Sequence, residues 1–221
     1  MNKEKFHIKL STYRYEFLLA ALLLLIFDKI FFPDNNVYLK YIWPFNMIII
    51  SVACFGIFNG KRRRIILLRN ILSSIAISMP FLFLVYGNYF WFQQVLTVFF
   101  TIYYCFIFAE VMRQIISSKE VRLNVVIGSF CGYLLLCMIT VFAYLLVELY
   151  HPNSFHGLSE IVTLKYNEIV YFSFITITSI GFGDMYPITE MSRLVTAFFG
   201  MVGQFYMVAL VGIIISKFSS K

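Results

Sequence analysis

Charge is scarce in this chain. Only 13% of its 221 residues are Asp, Glu, Lys or Arg, against 61% that are hydrophobic. A water-soluble domain of this size has too much apolar surface to hide at that composition, so the soluble globular classes are excluded. Cysteine and histidine are also few, at four and three residues. Cys54, Cys105, Cys131 and Cys137 each sit inside an apolar run, with no CxxC pair and no histidine cluster nearby. A disulfide framework or zinc site has no support, and all four are expected to act as buried small hydrophobes. There is no Ser/His/Asp array, no acid–base pair of carboxylates in a plausible pocket and no phosphate-binding glycine loop. An enzyme, a bound cofactor and a small-molecule substrate are therefore not expected. The net charge of +7 would suit nucleic acid in a soluble protein, but here the basic residues lie in short loops between apolar runs. No nucleic-acid partner is expected; a lipid bilayer is.

Long apolar runs dominate what remains. Six segments of bilayer-spanning length cover roughly 15–32, 37–58, 65–87, 89–112, 123–149 and 191–216. The first carries Asp28 and Lys29 near its end. Lys3, Lys5, Lys9 and Arg14 ahead of it mimic a secretory signal, but no small-residue cleavage site follows, so it reads as a retained span. A seventh apolar stretch, 167–179, is too short to cross and has the size of a re-entrant segment. The fold class expected is an all-α membrane protein with six transmembrane helices and a re-entrant helix and loop between helices 5 and 6. The first division is 1–122 as a four-helix membrane domain and 123–221 as a second membrane module.

Loop charges give the orientation. Lys61, Arg62, Arg63 and Arg64 join spans 2 and 3; Arg113, Lys119 and Arg122 join spans 4 and 5; Lys217 and Lys221 end the chain. With the basic N-terminus, all fall on one side of a six-span topology. The opposite loops, Pro33-Asp34-Asn35-Asn36 and Gly87-Asn88, carry no Lys or Arg. Positive loops stay in the cytoplasm, which places both termini there and the protein in a cell membrane as a multi-pass chain.

The stretch Thr176-Ile177-Thr178-Ser179-Ile180-Gly181-Phe182-Gly183-Asp184 lies between spans 5 and 6 and continues into Met185-Tyr186-Pro187. Turning successive carbonyls one way requires alternating backbone handedness, and Gly181 and Gly183 permit the positive φ this needs. The nine residues resemble the potassium-channel filter, Thr-x-Thr-Thr-x-Gly-Tyr/Phe-Gly-Asp, in which carbonyl rings replace the ion's hydration shell. Residues 123–221 are similar to the two-helix pore module of that family. Gly132-Tyr133-Leu134-Leu135-Leu136 and Gly203-Gln204-Phe205-Tyr206 look like its bacterial six-span members.

The resemblance implies roles residue by residue. Carbonyls of Ser179, Ile180, Gly181 and Phe182 would coordinate potassium, with the Ser179 hydroxyl at the innermost site. Ser keeps the oxygen of the usual Thr and loses its methyl. Phe182 replaces the more common Tyr and cannot donate a hydrogen bond to its surroundings. Thr176, Thr178, Gly183 and Asp184 would support the filter. The pore helix is expected to begin near Asn167, a good N-cap residue. Tyr171 and Phe172 match an aromatic cuff, with Tyr171 in reach of Asp184; plain helix packing is the alternative. Glu148 matches a carboxylate that braces the loop after the filter by accepting backbone amides, or is a solvated interfacial Glu. Gly203, with Gly200 a turn earlier, matches the gating hinge, although small residues also serve close helix packing. Gln204, Met207, Val211 and Ile215 form one stripe matching the cavity lining, and Gln204 either hydrates the ion or bonds across helices. One loop per chain implies a homotetramer about a rotation axis. Potassium is the transported species, not a cofactor.

The first four spans resemble a voltage-sensor layout without its charge ladder. The segment from Tyr89 to Met112 holds no Lys or Arg. Arg62, Arg63, Arg64 and Arg69 read as a topology-setting loop. Weak or absent voltage dependence follows. His151 and His156 are expected to be solvated residues of the outer turret.

Overall fold

The computed structural model describes residues 13–58, 63–118, 123–159 and 162–219. The basic residues expected at positions 3, 5, 9, 61, 62, 119, 122 and 221 lie outside them. Among the described residues the regular structure is helical apart from one two-stranded sheet.

Helix α1 runs Arg14–Phe27 and tightens into a 3-10 turn at Asp28–Ile30. Helix α2 covers Asn35–Ile57, with a wider π-type turn at Tyr38–Ile42. Its start is capped by Asp34, which accepts the amides of Asn36 at 2.8 Å and Val37 at 3.3 Å; these first-turn donors have no intrahelical partner. Helix α3 is Arg63–Tyr86, α4 is Phe90–Ser117 and α5 is Leu123–Tyr150. Gly87 ends α3: its amide bonds the Phe83 carbonyl at 2.8 Å, and a Cβ there would stand 2.5 Å from that oxygen. Strand β1 (Phe155–His156) pairs antiparallel with β2 (Tyr186–Pro187), a departure from a purely helical fold. Between them lies α6, Val162–Ile177, and after them α7, Glu190–Ser219.

Five helices, α2 to α5 and α7, are long and apolar enough to cross a membrane. Helix α1 has 14 residues and falls short of the expected first span of 15–32 because the chain tightens at Asp28. Helix α6 has 16 residues, about 24 Å, less than the ~30 Å hydrocarbon thickness.

Packing divides the chain into Met1–Gln93 with Phe106–Gly132, and Gln94–Cys105 with Tyr133–Lys221. The boundaries of these packing units fall at 93/94, 105/106 and 132/133. Phe100 and Tyr104 of α4 pack on Phe142 of α5, with ring centroids 5.3 and 5.5 Å apart, which draws that stretch to the C-terminal unit. Gly128 lies against the Tyr15 ring, and the Cys131 thiol donates to the Tyr15 carbonyl at 3.3 Å, which ties the start of α5 to the first unit.

In the first unit, Leu18, Leu22 and Leu25 of α1 and Met47, Ile50, Cys54 and Ile57 of α2 form the core. Asp28 is buried and accepts from the Tyr38 hydroxyl and the Asn46 amide. Arg69 departs from the loop reading. It lies inside α3, is only 9% exposed, and places its guanidinium 4.4 Å from the centre of the Phe55 ring. A cation against an aromatic face keeps favourable electrostatics where water is excluded. The cysteines also differ from expectation at one position: Cys105 is exposed, whereas Cys54, Cys131 and Cys137 are buried.

Candidate functional site

The site is built on α5, α6 and α7 of the second unit. Helix α6 begins at Val162, so Asn167 sits inside it and is not its N-cap. No Gly or Pro breaks Val162–Tyr166, and the earlier turn puts Lys165 where it can pair with Glu148. Glu168 reaches back to accept the Ser159 amide at 2.7 Å. Along α6, Ile169, Phe172 and Ile175 are buried with Val141, Tyr144, Phe155 and Met185. Phe172 packs between Tyr144 and Phe155, at centroid distances of 5.3 and 5.5 Å, as part of this core. Tyr171 faces outward and donates to Asp184 Oδ2 at 2.8 Å.

The chain leaves α6 through a tightened turn. Thr176 and Thr178 return their hydroxyls to the carbonyls of Phe172 and Phe174, at 2.8 and 2.7 Å. The Ser179 amide bonds the Thr176 carbonyl at 3.0 Å and the Gly181 amide bonds Ile175 at 3.1 Å. Three alternate residues then take positive φ: Ser179 at 58°, Gly181 at 52° and Gly183 at 83°. The glycines were foreseeable. Ser179 was not, since a residue with a Cβ takes this conformation uncommonly. The loop is exposed from Ser179 to Asp184, and Phe182 is 70% exposed. The negative end of the α6 dipole meets the start of this loop, which favours a cation there.

Glu148 is 5% exposed, not solvated. It accepts the amides of Asn153 at 3.1 Å and Ser154 at 2.9 Å, and pairs with Lys165 at 3.1 Å. These amides belong to the turret before α6, not to the loop after the filter motif, which corrects the expectation. The link to that loop is one step longer. The Ser154 carbonyl accepts the Ile188 amide at 2.8 Å and the Ser192 hydroxyl at 2.8 Å, while its hydroxyl meets Thr189 Oγ1 at 3.1 Å. Sequence reasoning missed Ser154, Thr189 and Ser192, because only the folded turret gives these small hydroxyls a shared role. His156 is also more than a solvated turret residue: its ring stacks on Tyr186 with centroids 4.5 Å apart.

Gly203 has a packing reason. A Cβ there would stand 2.7 Å from the Ile177 carbonyl oxygen and 3.1 Å from Ile177 Cγ2. At Gly200 the nearest such atom is Thr176 Cγ2, at 3.9 Å. The same Ile177 carbonyl accepts the Tyr133 hydroxyl at 3.3 Å. Gln204 and Met207 are exposed on α7, and the Gln204 amide donates to Ser179 Oγ. Val211 and Ile215 lie outside the residues whose side chains are described.

Comparison with known proteins adds one finding. A family model described as "Ion channel" matches residues 133–220, the stretch holding the loop, its supports and α7. This match supports a channel function and a bilayer context. No curated protein and no solved structure matches the chain.

Proposed function

We propose that the chain is one subunit of a homotetrameric, potassium-selective channel, with the exposed loop 179–184 as its filter. The observation that carries this reading is the alternation of positive φ at Ser179, Gly181 and Gly183 directly after a helix too short to span. Alternating handedness is what a loop needs to aim successive carbonyls along one path. Those of Ser179, Ile180, Gly181 and Phe182 are the proposed ligands, in place of the ion's water. Asp184, held by Tyr171, supplies negative charge at the outer mouth.

Assembly follows from what one chain leaves uncovered. Helix α7 is only 11% buried over its apolar window, whereas α5 is 72% buried. Six of its seven exposed large hydrophobic side chains among the described residues, Met191, Leu194, Phe198, Met201, Phe205 and Val208, repeat at alternating steps of three and four, and Met207 lies beside the last. That spacing suits a helix seam against copies of itself. Four loops around the axis would close the carbonyl rings. The proposed topology is six-span, α1 included, with both termini in the cytoplasm and α6 entering from outside; loop charges support it. Ions move passively, and no bond is made or broken.

Reconstituted into vesicles, the purified protein is expected to pass potassium and rubidium well above sodium, as read from reversal potentials in mixed salts. Equal sodium and potassium permeability would overturn the selectivity, and the absence of flux would overturn the channel reading. Mass measurement of the solubilised complex checks the four-fold stoichiometry.

A further inference from the structure

Beneath the loop, α7 does more than border the ion's path. We infer that Gln204 is a positioning residue for the loop, acting through the Ser179 hydroxyl, and that Gly203 brings it within reach. This rests on the channel reading above.

Three independent observations converge. First, the Gln204 Nε2 amide donates to Ser179 Oγ across 25 positions of sequence. Second, Ser179 holds a φ of 58°, a region where residues with a Cβ are uncommon. A residue held there needs its surroundings to fix it. Third, α7 lies directly against the end of α6, because Gly203 leaves no side chain between the helix and the Ile177 carbonyl. Tyr133 anchors that carbonyl from the other side at 3.3 Å, and its ring packs on Tyr206 with centroids 5.8 Å apart. The base of the loop is thus gripped from α5 and α7 together.

The chemistry is specific. A serine hydroxyl offers one donor and two lone pairs. Gln204 occupies one lone pair and so selects the side-chain rotamer. The other lone pair stays available to an ion at the innermost site. Without the amide, the Ser179 side chain is free to sample its other staggered wells. The innermost ring then loses its fixed spacing, and discrimination between potassium and sodium falls.

Two substitutions at position 204 separate this role from general polarity in the cavity. Gln204→Met keeps the length and removes the amide. Gln204→Asn keeps the amide but is one methylene too short to reach Ser179. Both are expected to raise the sodium-to-potassium permeability ratio about fivefold, the scale of one lost neutral hydrogen bond. Ser179→Ala is expected to do the same. Combining it with Gln204→Met should add little, because both changes remove one interaction. Reversal potentials in mixed salts read the ratio, and gel filtration confirms an intact assembly for each variant. A Gln204→Asn protein with the parent ratio would overturn the inference, since an amide that merely hydrates the cavity would survive that change. Independent effects in the double variant would also overturn it. A parent protein that passes no potassium would instead bring down the channel reading itself.

Discussion

Gly203→Ala separates two meanings of a glycine inside a helix. If Gly203 only lends flexibility, Ala should stiffen α7 and stabilise it by about 1 kcal/mol through helix propensity. The structure predicts the opposite sign. The new Cβ would stand 2.7 Å from the Ile177 carbonyl oxygen and 3.3 Å from Ile177 Cα. Both are backbone atoms at the end of α6, with no rotamer to escape into. Overpacking of this kind costs about 1–3 kcal/mol, and a rigid backbone neighbour places it in the upper half of that range. Subtracting the propensity gain of about 1 kcal/mol leaves a net loss of ~1–2 kcal/mol. Gly200→Ala is the internal control, because its Cβ would meet Thr176 Cγ2 at an ordinary 3.9 Å. It should be neutral or stabilising by up to about 1 kcal/mol. The assay is denaturant unfolding of the solubilised protein, followed by α7-dependent helicity, with potassium flux measured in parallel. Gly203→Ala should lower the midpoint and Gly200→Ala should not. A Gly203→Ala midpoint equal to or above the parent would refute the close approach of α7 to α6.

Three further outcomes follow from the same geometry. Glu148→Gln removes the charge that pairs with Lys165 at 3.1 Å and weakens its hold on the Asn153 and Ser154 amides. A loss of about 2 kcal/mol in unfolding free energy is expected, and Glu148→Asp, too short to reach all three partners, should recover only part of it. Tyr171→Phe deletes the 2.8 Å bond to Asp184 at an exposed position, so stability should change by less than ~1 kcal/mol while the permeability ratio moves toward sodium in reversal-potential recordings. Conductance should depend weakly on voltage. Moving one charge across the field yields about 2.3 kcal/mol per 100 mV, and α4 holds no cation before Arg113, which pairs with Glu110 at 2.6 Å. A steep conductance–voltage curve in planar bilayers would contradict that.

What the sequence made legible was local. Helices α2 to α5 and α7 were readable because unbroken apolar runs mark them, and their ends fell within a few residues of the expected bounds. The two glycines of the nine-residue stretch Thr176–Asp184 marked two of its positive-φ positions. The resemblance implied the bond from Tyr171 to Asp184, 13 residues on, with plain helix packing as the alternative; the structure shows the bond. Three features were not legible. The start of α6 was misplaced because Asn167 is a residue type suited to capping that sits inside the helix; nothing local shows that Lys165, two residues earlier, is claimed by Glu148. The partners of Glu148 depend on the turret folding back on α5. Ser179 and Gln204 lie 25 residues apart, and their bond exists only because Gly203 lets two helices meet. Each miss is a tertiary contact for which no period or propensity carries a signal.

The two glycines of the loop stand in open space within a single chain, since a Cβ built at Gly181 or Gly183 would meet no atom within 4 Å. Tyr171 moors one end of the loop at Asp184 and Gln204 moors the other at Ser179. The arc from Ile180 to Gly183 is like an unfinished bridge deck, fixed at its two abutments. On the proposed tetrameric reading, subunit association matures the filter as well as bringing its copies together, and nascent monomers are poor ion binders however well their helices have folded.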